Sequence, residues 1–225
     1  MLEAMPAWKS AFPSAHVGVL VLRNASNPAH HIELERQKAE LEEELRARFA
    51  GQDRATIASH PTLKVYGEYY KSFKKTYHVQ LQLESIVLKG KSIPTVASLV
   101  ECMFMAEVKN MLLTAGHDLD TLQLPLTLDV TQGTESYMLM RGVEQVVKAG
   151  DMMISDQVGI ISDIIYGPDQ RTQITESTRN VVFTVYAPTG IDKLAIVQHL
   201  QDMRDYVKVI VPQVQIELLE VYGGE

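Results

Sequence analysis

The alternation of apolar and polar residues divides the chain into a helical first half and a β-rich second half. The first apolar run, His16–Arg23, is followed by the turn-like sequence NASNP and is typical of a buried strand. Leucines at helical spacing and pairs such as Glu42 with Arg46 predict a helix over His30–Phe49, with its charged residues on a solvated face. Periodicity and helix-breaking residues predict three more helices, Leu63–Ser72, Tyr77–Leu88 and Val96–Leu113.

After residue 120, short apolar runs alternate with glycine, aspartate and proline, which is typical of a mixed or antiparallel sheet. The runs are LPLTLDV, SYMLMRG, DMMISD, GIISDIIYG and NVVFTVYAP. A helix over Ile191–Val207 and a final strand, VQIELLEVY, complete the pattern. No linker or internal repeat divides residues 1–225. We therefore predict a single domain of the α+β class, with a mixed or antiparallel sheet packed by helices and a pocket at the edge of the sheet.

Composition narrows the classes of protein that the chain can belong to. With 225 residues it can bury a core without disulfide or metal staples, and Cys102 alone cannot form a disulfide within the chain. The net charge of −7 makes bulk DNA binding unfavourable, although a local basic face can still bind an RNA end. No apolar run approaches the roughly 20 residues of a membrane span, and VGVLVL is too short for a signal core. We expect a cytoplasmic protein that does not contact membranes.

Sequence motifs for cofactors and metals are missing. The chain contains no Walker loop, dinucleotide-binding glycine loop, zinc knuckle or GxSxG elbow. The pair His30–His31 lacks the i,i+4 spacing of a helical metal site, and Cys102 lies in an apolar segment typical of an inert core thiol. We predict neither a metal nor a cofactor.

A basic stretch interleaved with aromatic residues allows two interpretations. The lysines are Lys64, Lys71, Lys74, Lys75, Lys89 and Lys91, and the rings are Tyr66, Tyr69, Tyr70, Phe73, Tyr77 and His78. In the first interpretation, Lys71, Lys74, Lys75 and Lys89 contact RNA phosphates while the rings stack on bases. In the second, the rings face the core of a helix pair and the lysines are solvated.

The polar residues between Gly116 and Thr178 are the candidates for a functional site. His117 can orient a water or a ribose hydroxyl, or can be a turn histidine bonded to backbone. Asp118 can take part in catalysis or cap a short helix. Four more residues either line a pocket for a ribose or a carboxylate, or belong to a threonine-rich exposed strand. They are Arg171, Thr172, Thr175 and Thr178.

Five segments in order resemble the tRNA-editing domain in the beta chain of phenylalanyl-tRNA synthetase, and more closely its free-standing "solo B3/4" relatives. The segments are Lys91–Glu101, Gly116–Leu122, Gly150–Asp156, Arg171–Thr178 and Val181–Gly190. The likeness covers roughly residues 60–210, so residues 60–225 are interpreted as the B3/4-like core. Residues 1–59 then contribute a strand and a charged helix.

The resemblance implies a site that accepts the aminoacylated 3′ end of a tRNA and hydrolyses a wrong amino acid from it, tyrosine in the synthetase. It assigns catalytic roles to His117 and Asp118 and substrate contacts to Arg171 and the threonines. The synthetase histidine occurs in a PxHxFD-like context, whereas His117 here is adjacent to Asp118. The alternative is a non-catalytic module that binds a free amino acid, a small ligand or a protein partner.

Overall fold

The computed structural model describes residues 1–224 and consists of three sheets and seven helices within that range. The strands are β1 (Leu2–Ala4), β2 (His16–Arg23), β3 (Leu113–Asp118), β4 (Leu126–Val130), β5 (Ser136–Met138), β6 (Glu144–Val146), β7 (Met152–Ser155), β8 (Ile160–Asp163), β9 (Gly167–Pro168), β10 (Val181–Ala187) and β11 (Gln215–Gly223). The helices are α1 (Pro6–Ala11), α2 (Ile32–Arg48), α3 (Arg54–Ala58), α4 (Pro61–Ser72), α5 (His78–Lys89), α6 (Ser98–Asn110) and α7 (Lys193–Ile210). The α+β class with mixed and antiparallel sheets is confirmed.

The sheets bring distant parts of the chain together. One sheet has the antiparallel order β11-β2-β10-β3. A second has the order β1-β4-β7-β8-β9, in which β1 and β4 are parallel. Strands β5 and β6 form a separate hairpin. Because β2 lies inside the first sheet and β1 joins the second, residues 1–59 are part of the folded core rather than an appended arm.

The observed ends of several helices differ from the predicted residues. The helix predicted over Val96–Leu113 is α6, which stops at Asn110 because Met111 adopts a left-handed backbone with φ of +60°. The residues that follow it form β3 instead of a turn, and only Leu119–Thr121 makes a 3₁₀ turn. The short helices α1 and α3 and strand β1 were not predicted, because segments of three to six residues carry little periodic signal.

The rings of Tyr66, Tyr70 and Tyr77 belong to the core, as the second interpretation of the basic stretch predicted for the aromatic residues. Tyr66 and Tyr77 are buried and stacked at 4.4 Å between ring centroids. The Tyr66 hydroxyl donates to the Tyr186 carbonyl at 2.5 Å and accepts from the Leu113 amide at 3.2 Å. These rings therefore hold α4 on the first sheet and cannot stack on bases.

Gly18 in β2 allows α7 to approach the first sheet closely. A Cβ at this position would lie 2.6 Å from Ile196 Cγ2 and 3.2 Å from Leu200 Cδ1. Both neighbours are fully buried, so they have little room to move. The sequence pattern does not reveal this constraint, since glycine in an apolar run is compatible with an ordinary strand.

Replacing Gly18 with valine is expected to lower the free energy of unfolding by about 1–3 kcal/mol, because the added methyl groups overpack the contact with α7. Denaturant unfolding measures the change. Gly67→Ala in α4 is the matched control, since a Cβ there meets nothing within 4 Å. It should stabilise the protein by about 0.5–1 kcal/mol. Equal unfolding midpoints for Gly18→Val and the parent would contradict the close packing of α7.

Candidate functional site

His117 lies at the end of β3, where pairing with Val182 of β10 fixes its backbone. Its side chain is fully buried, and Nδ1 lies 2.7 Å from the Thr172 hydroxyl. Thr172 is 55 positions along the chain, in the segment between β9 and β10. The two elements are joined a second time, because the Asp118 amide donates to the Thr172 carbonyl at 2.8 Å. The structure therefore unites the two predicted segments.

Asp169 determines which nitrogen of His117 carries the proton. The Thr172 hydroxyl donates its only hydrogen to Asp169 Oδ1, which also accepts the Thr172 amide at 3.1 Å. The hydroxyl can then only accept from His117, so Nδ1 is protonated and Nε2 keeps a lone pair. Within residues 1–224, Nε2 is buried and has no hydrogen-bond partner. The sequence pattern did not single out Asp169, although the spacing Asp-x-x-Thr in DQRT is typical of a side chain that caps a turn.

Burial lowers the pKa of His117 to about 3, and the nearby Arg171 guanidinium adds to the effect. The imidazole is therefore neutral at every physiological pH in this arrangement. An imidazole with an unpaired Nε2 lone pair can accept a proton, but its basicity is weak as long as it stays buried.

Asp118 caps the turn that follows β3. Its Oδ1 accepts the Asp120 amide at 3.0 Å, and its Oδ2 accepts the Thr178 hydroxyl at 2.6 Å. The capping interpretation of the sequence is confirmed for this residue. Both carboxylate oxygens have partners within the protein, so a catalytic role for Asp118 stays a prediction without a free oxygen to support it.

Arg171 connects three segments around the histidine. It donates to Asp156 Oδ1 at 2.9 Å and to the Thr121 carbonyl at 3.1 Å, and its Nε lies 3.6 Å from Asp169 Oδ2. Burial alone would raise the pKa of Asp156, but backbone amides and Arg171 outweigh it and lower this pKa. Asp156 also closes the β7–β8 hairpin by accepting the Val158 amide at 2.9 Å.

The threonines lie in an ordered loop, so the alternative of an exposed strand is wrong. Thr172 and Thr178 are buried, whereas Thr175 is exposed and its hydroxyl contacts Ser177 at 2.8 Å. Buried Asn27, which the sequence did not single out, holds the loop by donating to the Thr175 carbonyl at 2.8 Å. Side-chain hydrogen bonds satisfy this loop in place of a strand ladder.

The predicted pocket at the sheet edge is closed at His117. Ile174 covers β3 so closely that a Cβ at Gly116 would lie 2.8 Å from its Cδ1. None of the five clefts that we describe in residues 1–224 is lined by His117, Asp118 or the loop threonines. The structure therefore brings His117, Asp118, Thr172 and Thr178 together but buries them, whereas Arg171 and Thr175 are exposed.

A family comparison decides the lineage of this arrangement. The B3/4 domain family matches residues 62–204. The chain belongs to the B3/4 domain family. Asp120 is the third residue after His117, so the chain contains a histidine and an aspartate separated by three positions as well as the adjacent pair His117–Asp118.

A solved structure shares the fold of this B3/4 protein. It is an N-terminal fragment of the phenylalanyl-tRNA synthetase beta subunit from Pyrococcus horikoshii, at a TM-score of 0.50 and 9% sequence identity. The match covers 96% of this chain and 50% of that fragment, so the chain spans half the length of its structural neighbour. No curated protein matches the sequence. The chain thus shares its fold with this part of a tRNA synthetase subunit. No helix among the described residues is both long and apolar enough to cross a bilayer.

Proposed function

We propose that this B3/4 protein binds the aminoacylated 3′ end of a tRNA and hydrolyses the ester of a wrongly attached amino acid. The observation that carries the proposal is the convergence of His117, Thr172, Asp169 and Arg171, with an unpaired Nε2 on the histidine. Hydrolysis of such an ester requires a positioned water and stabilisation of the oxyanion, without a protein nucleophile.

The reaction in this proposal begins when residues 173–179, which include Ile174 over β3, move away from His117 while Arg171 and Thr172 keep their contacts. Water then reaches Nε2, and the loss of burial returns the pKa of the imidazole toward its ordinary value of about 6.5, where general base catalysis at neutral pH is efficient. His117 takes a proton from water as the oxygen attacks the ester carbonyl. The C–O bond to the ribose breaks, and the proton passes to the ribose oxygen, which releases the free amino acid and the intact tRNA end. The Arg171 guanidinium is the donor available to the oxyanion, because the Thr172 hydroxyl donates its hydrogen to Asp169.

A cationic cleft next to this cluster is the surface on which we place the RNA. It has a volume of about 380 Å³ and is lined by Lys75, Arg141, Tyr166 and Pro168 among others. Lys75 Nζ lies 5.2 Å from the centroid of the Tyr166 ring. Pro168, which lines the cleft, directly precedes Asp169 in the sequence. Asp169 is the residue that orients Thr172 and, through it, His117.

Neighbouring lysines extend the positive charge of this cleft. Lys74 and Lys148 line an adjoining depression, and Lys148 donates to the Phe73 carbonyl. Within residues 1–224 none of Lys74, Lys75, Arg141 and Lys148 pairs with a carboxylate, and the same is true of Lys71. Unpaired cations beside an aromatic face suit the backbone and bases of a single strand. Lys89 is not part of this surface. It is the last residue of α5, and the 12 residues of this helix place it about 18 Å along the helix axis from the end that follows Lys75.

Deacylation is the direct test of the proposed reaction. Tyrosyl-tRNA and a panel of other mischarged tRNAs are incubated with the protein, and the surviving ester is counted over time. We expect the tRNA to bind and at least one mischarged species to lose its amino acid faster than without protein. Absence of both turnover and binding would rule the proposal out.

Replacing both Lys75 and Arg141 with alanine should weaken binding of a single-stranded RNA that ends in CCA. For single strands the slope of log affinity against log salt should shrink by about 0.7 for each phosphate that the variant no longer neutralises. Fluorescence anisotropy at several salt concentrations measures both effects. The matched control is Lys64→Ala, an exposed lysine whose amine lies 4.0 Å from Glu68. If the double variant and the control bind alike, the RNA lies elsewhere.

The closed state of the site favours a second function, a module that binds tRNA without hydrolysing it. His117, Thr172 and Thr178 are each at most 1% exposed, and their hydrogen bonds anchor the loop to β3. Binding of mischarged tRNA that protects its ester from hydrolysis would support this function over the first.

A further inference from the structure

Apolar side chains cover the outer face of the hairpin formed by β5 and β6. This outer face carries Met138, Met140, Val143 and Val146, which are each between 43% and 55% exposed. Strand alternation turns Met138 and Val146 to the same side of the hairpin, opposite to the buried Tyr137. Exposed apolar side chains gathered on one surface commonly mark a binding site in a soluble protein.

Buried contacts hold the hairpin from its inner face. Tyr137, Leu139 and Val147 form a small core with Ile160. The Tyr137 hydroxyl also donates to the Gly167 carbonyl at 2.6 Å. The outer face is therefore presented on an ordered backbone, which lowers the entropy that is lost when a partner binds.

The outer face adjoins the cationic cleft. Met140 lines this cleft together with Lys75 and Arg141. The Met138 carbonyl accepts the Gln170 amide at 2.9 Å, which joins the hairpin to the part of the chain that leads into the candidate site. A single strand of RNA bound in the cleft would therefore lie beside the methionines.

Charge indicates which kind of partner fits this surface. Neither Lys75 nor Arg141 pairs with a carboxylate among the described residues, so both complement the phosphates of RNA. The methionines offer an uncharged, polarisable surface on which a base can pack, as apolar side chains do in other complexes with nucleic acid. Cations for the backbone beside a surface for the bases are the two parts of a single-strand binding site.

Glu144 adds a means of selecting the base. It lies directly opposite Met138 across the hairpin, its side chain is exposed, and its Oε1 accepts the Ser136 hydroxyl at 2.7 Å. Its other carboxylate oxygen can accept from a ligand. A carboxylate accepts from the exocyclic amine of cytosine, whereas uracil has a carbonyl oxygen at the same position. A base packed on Met138 is thus favoured when it is a cytosine.

We propose that the outer face of the hairpin binds the unpaired cytosines of a tRNA 3′ end. The bases pack on Met138 and Met140, and the exocyclic amine of one cytosine donates to Glu144. Lys75 and Arg141 contact the phosphates. This inference rests on the proposed function for the identity of the RNA, but it does not require hydrolysis of the ester.

Fluorescence anisotropy with short single-stranded RNAs that end in CCA or in UUA tests the outer face. Serine at both Met138 and Met140 should weaken binding of the CCA strand by roughly tenfold or more, because the packing of two bases is lost. The slope of log affinity against log salt should stay that of the parent, since no phosphate contact is removed. Leucine at both positions keeps the apolar surface and should bind like the parent. The matched control is Leu194→Ser, an exposed apolar residue of α7, which should also bind like the parent.

Glu144→Gln tests the selection of the base. The parent should prefer the CCA strand over the UUA strand by roughly fivefold or more. The variant should lose most of this preference, because an amide can also donate to the carbonyl oxygen of uracil. Equal affinity of the parent for the two strands would overturn the assignment to cytosine.

Parent-like binding of the double serine variant would overturn the role of the methionines. Light scattering tests a second copy of the chain as the occupant: a dimer that dissociates in the double serine variant would make this face an interface between copies and overturn the proposal. A parent that binds neither strand overturns the inference together with RNA binding in the proposed function. Binding of the CCA strand that depends on the methionines, in a protein that hydrolyses no ester, supports the inference and rejects only the proposed hydrolysis.

Discussion

Glutamine in place of His117 should slow deacylation of mischarged tRNA by a factor of roughly 10² to 10⁴, the usual contribution of a general base. Glutamine is close in size and can still bond to the Thr172 hydroxyl, so the loop 171–179 keeps its anchor. It cannot take a proton from water, which is the step assigned to Nε2. Single-turnover deacylation with the protein in excess over tRNA measures the chemical step apart from binding.

His199→Gln is the matched control for this variant. His199 is equally buried, contacts the Thr114 hydroxyl at 2.7 Å and the Asn110 amide at 3.2 Å, and has its pKa lowered to about 4 by burial. It belongs to α7 and contacts Asn110 of α6 and Thr114 of β3 instead of the loop 171–179. The control should lose stability to a similar extent but retain deacylation. Equal activity of His117→Gln and the parent would remove His117 from the mechanism, and equal loss in both variants would indicate a folding defect.

The free energy of unfolding should fall as the pH rises from 6.5 to about 8. Burial raises the pKa of Glu107 to about 8, although the Thr114 amide partly offsets it. Asp151 and Asp163 are also buried, and burial together with their mutual repulsion raises the pKa of Asp151 well above its ordinary range. In this window the unfolded chain has these carboxyls ionised, whereas the folded protein keeps protons on them. The folded state therefore binds more protons, and stability decreases with pH by up to about 1.4 kcal/mol per unit for each carboxyl.

Buried histidines act with the opposite sign but at lower pH. His117 and His199, with pKa values of about 3 and about 4, stay neutral in the folded protein while the unfolded imidazoles protonate below about pH 6.5. They reduce stability in acid, and their contribution fades about one pH unit above 6.5, so that the interval from pH 7.5 upward reports mainly the carboxyls.

Denaturant unfolding at pH 6.5, 7.5 and 8.5 measures this dependence. Glu107→Gln keeps an acceptor for the Thr114 amide and removes the titration, so its stability should fall less steeply than that of the parent. The exposed Glu68→Gln in α4 is the control and should follow the parent. A parent whose stability is constant between pH 6.5 and 8.5 would contradict the protonated carboxyls.

Much of the fold was predictable because burial leaves a local pattern in the sequence. The apolar run His16–Arg23 has the same bounds as β2, since both faces of that strand are covered. Leucines and valines at helical spacing predict the helix α7. In the structure this helix ends at Ile210, three residues after the predicted end. The end of α6 was misplaced because Met111 adopts a left-handed backbone, which a methionine does not reveal in advance.

The candidate site was predictable only in part. His117 and Thr172 were identified from residue type and order, but Asp169 and Asn27 were not, because their roles arise from hydrogen bonds to the loop 171–179.

The sequence by itself determined the α+β class, the strands β2, β10 and β11, and the family, because apolar periodicity and motif order are local properties of the chain. Only the tertiary structure decided whether the functional residues meet. The pairing of β3 with β10 and the hydrogen bonds of a loop 55 residues from His117 bring the cluster together. The same packing buries it, so the imidazole is neutral and closed to water. Burial and hydrogen-bond partners depend on distant segments, and these decide the chemistry available to a side chain.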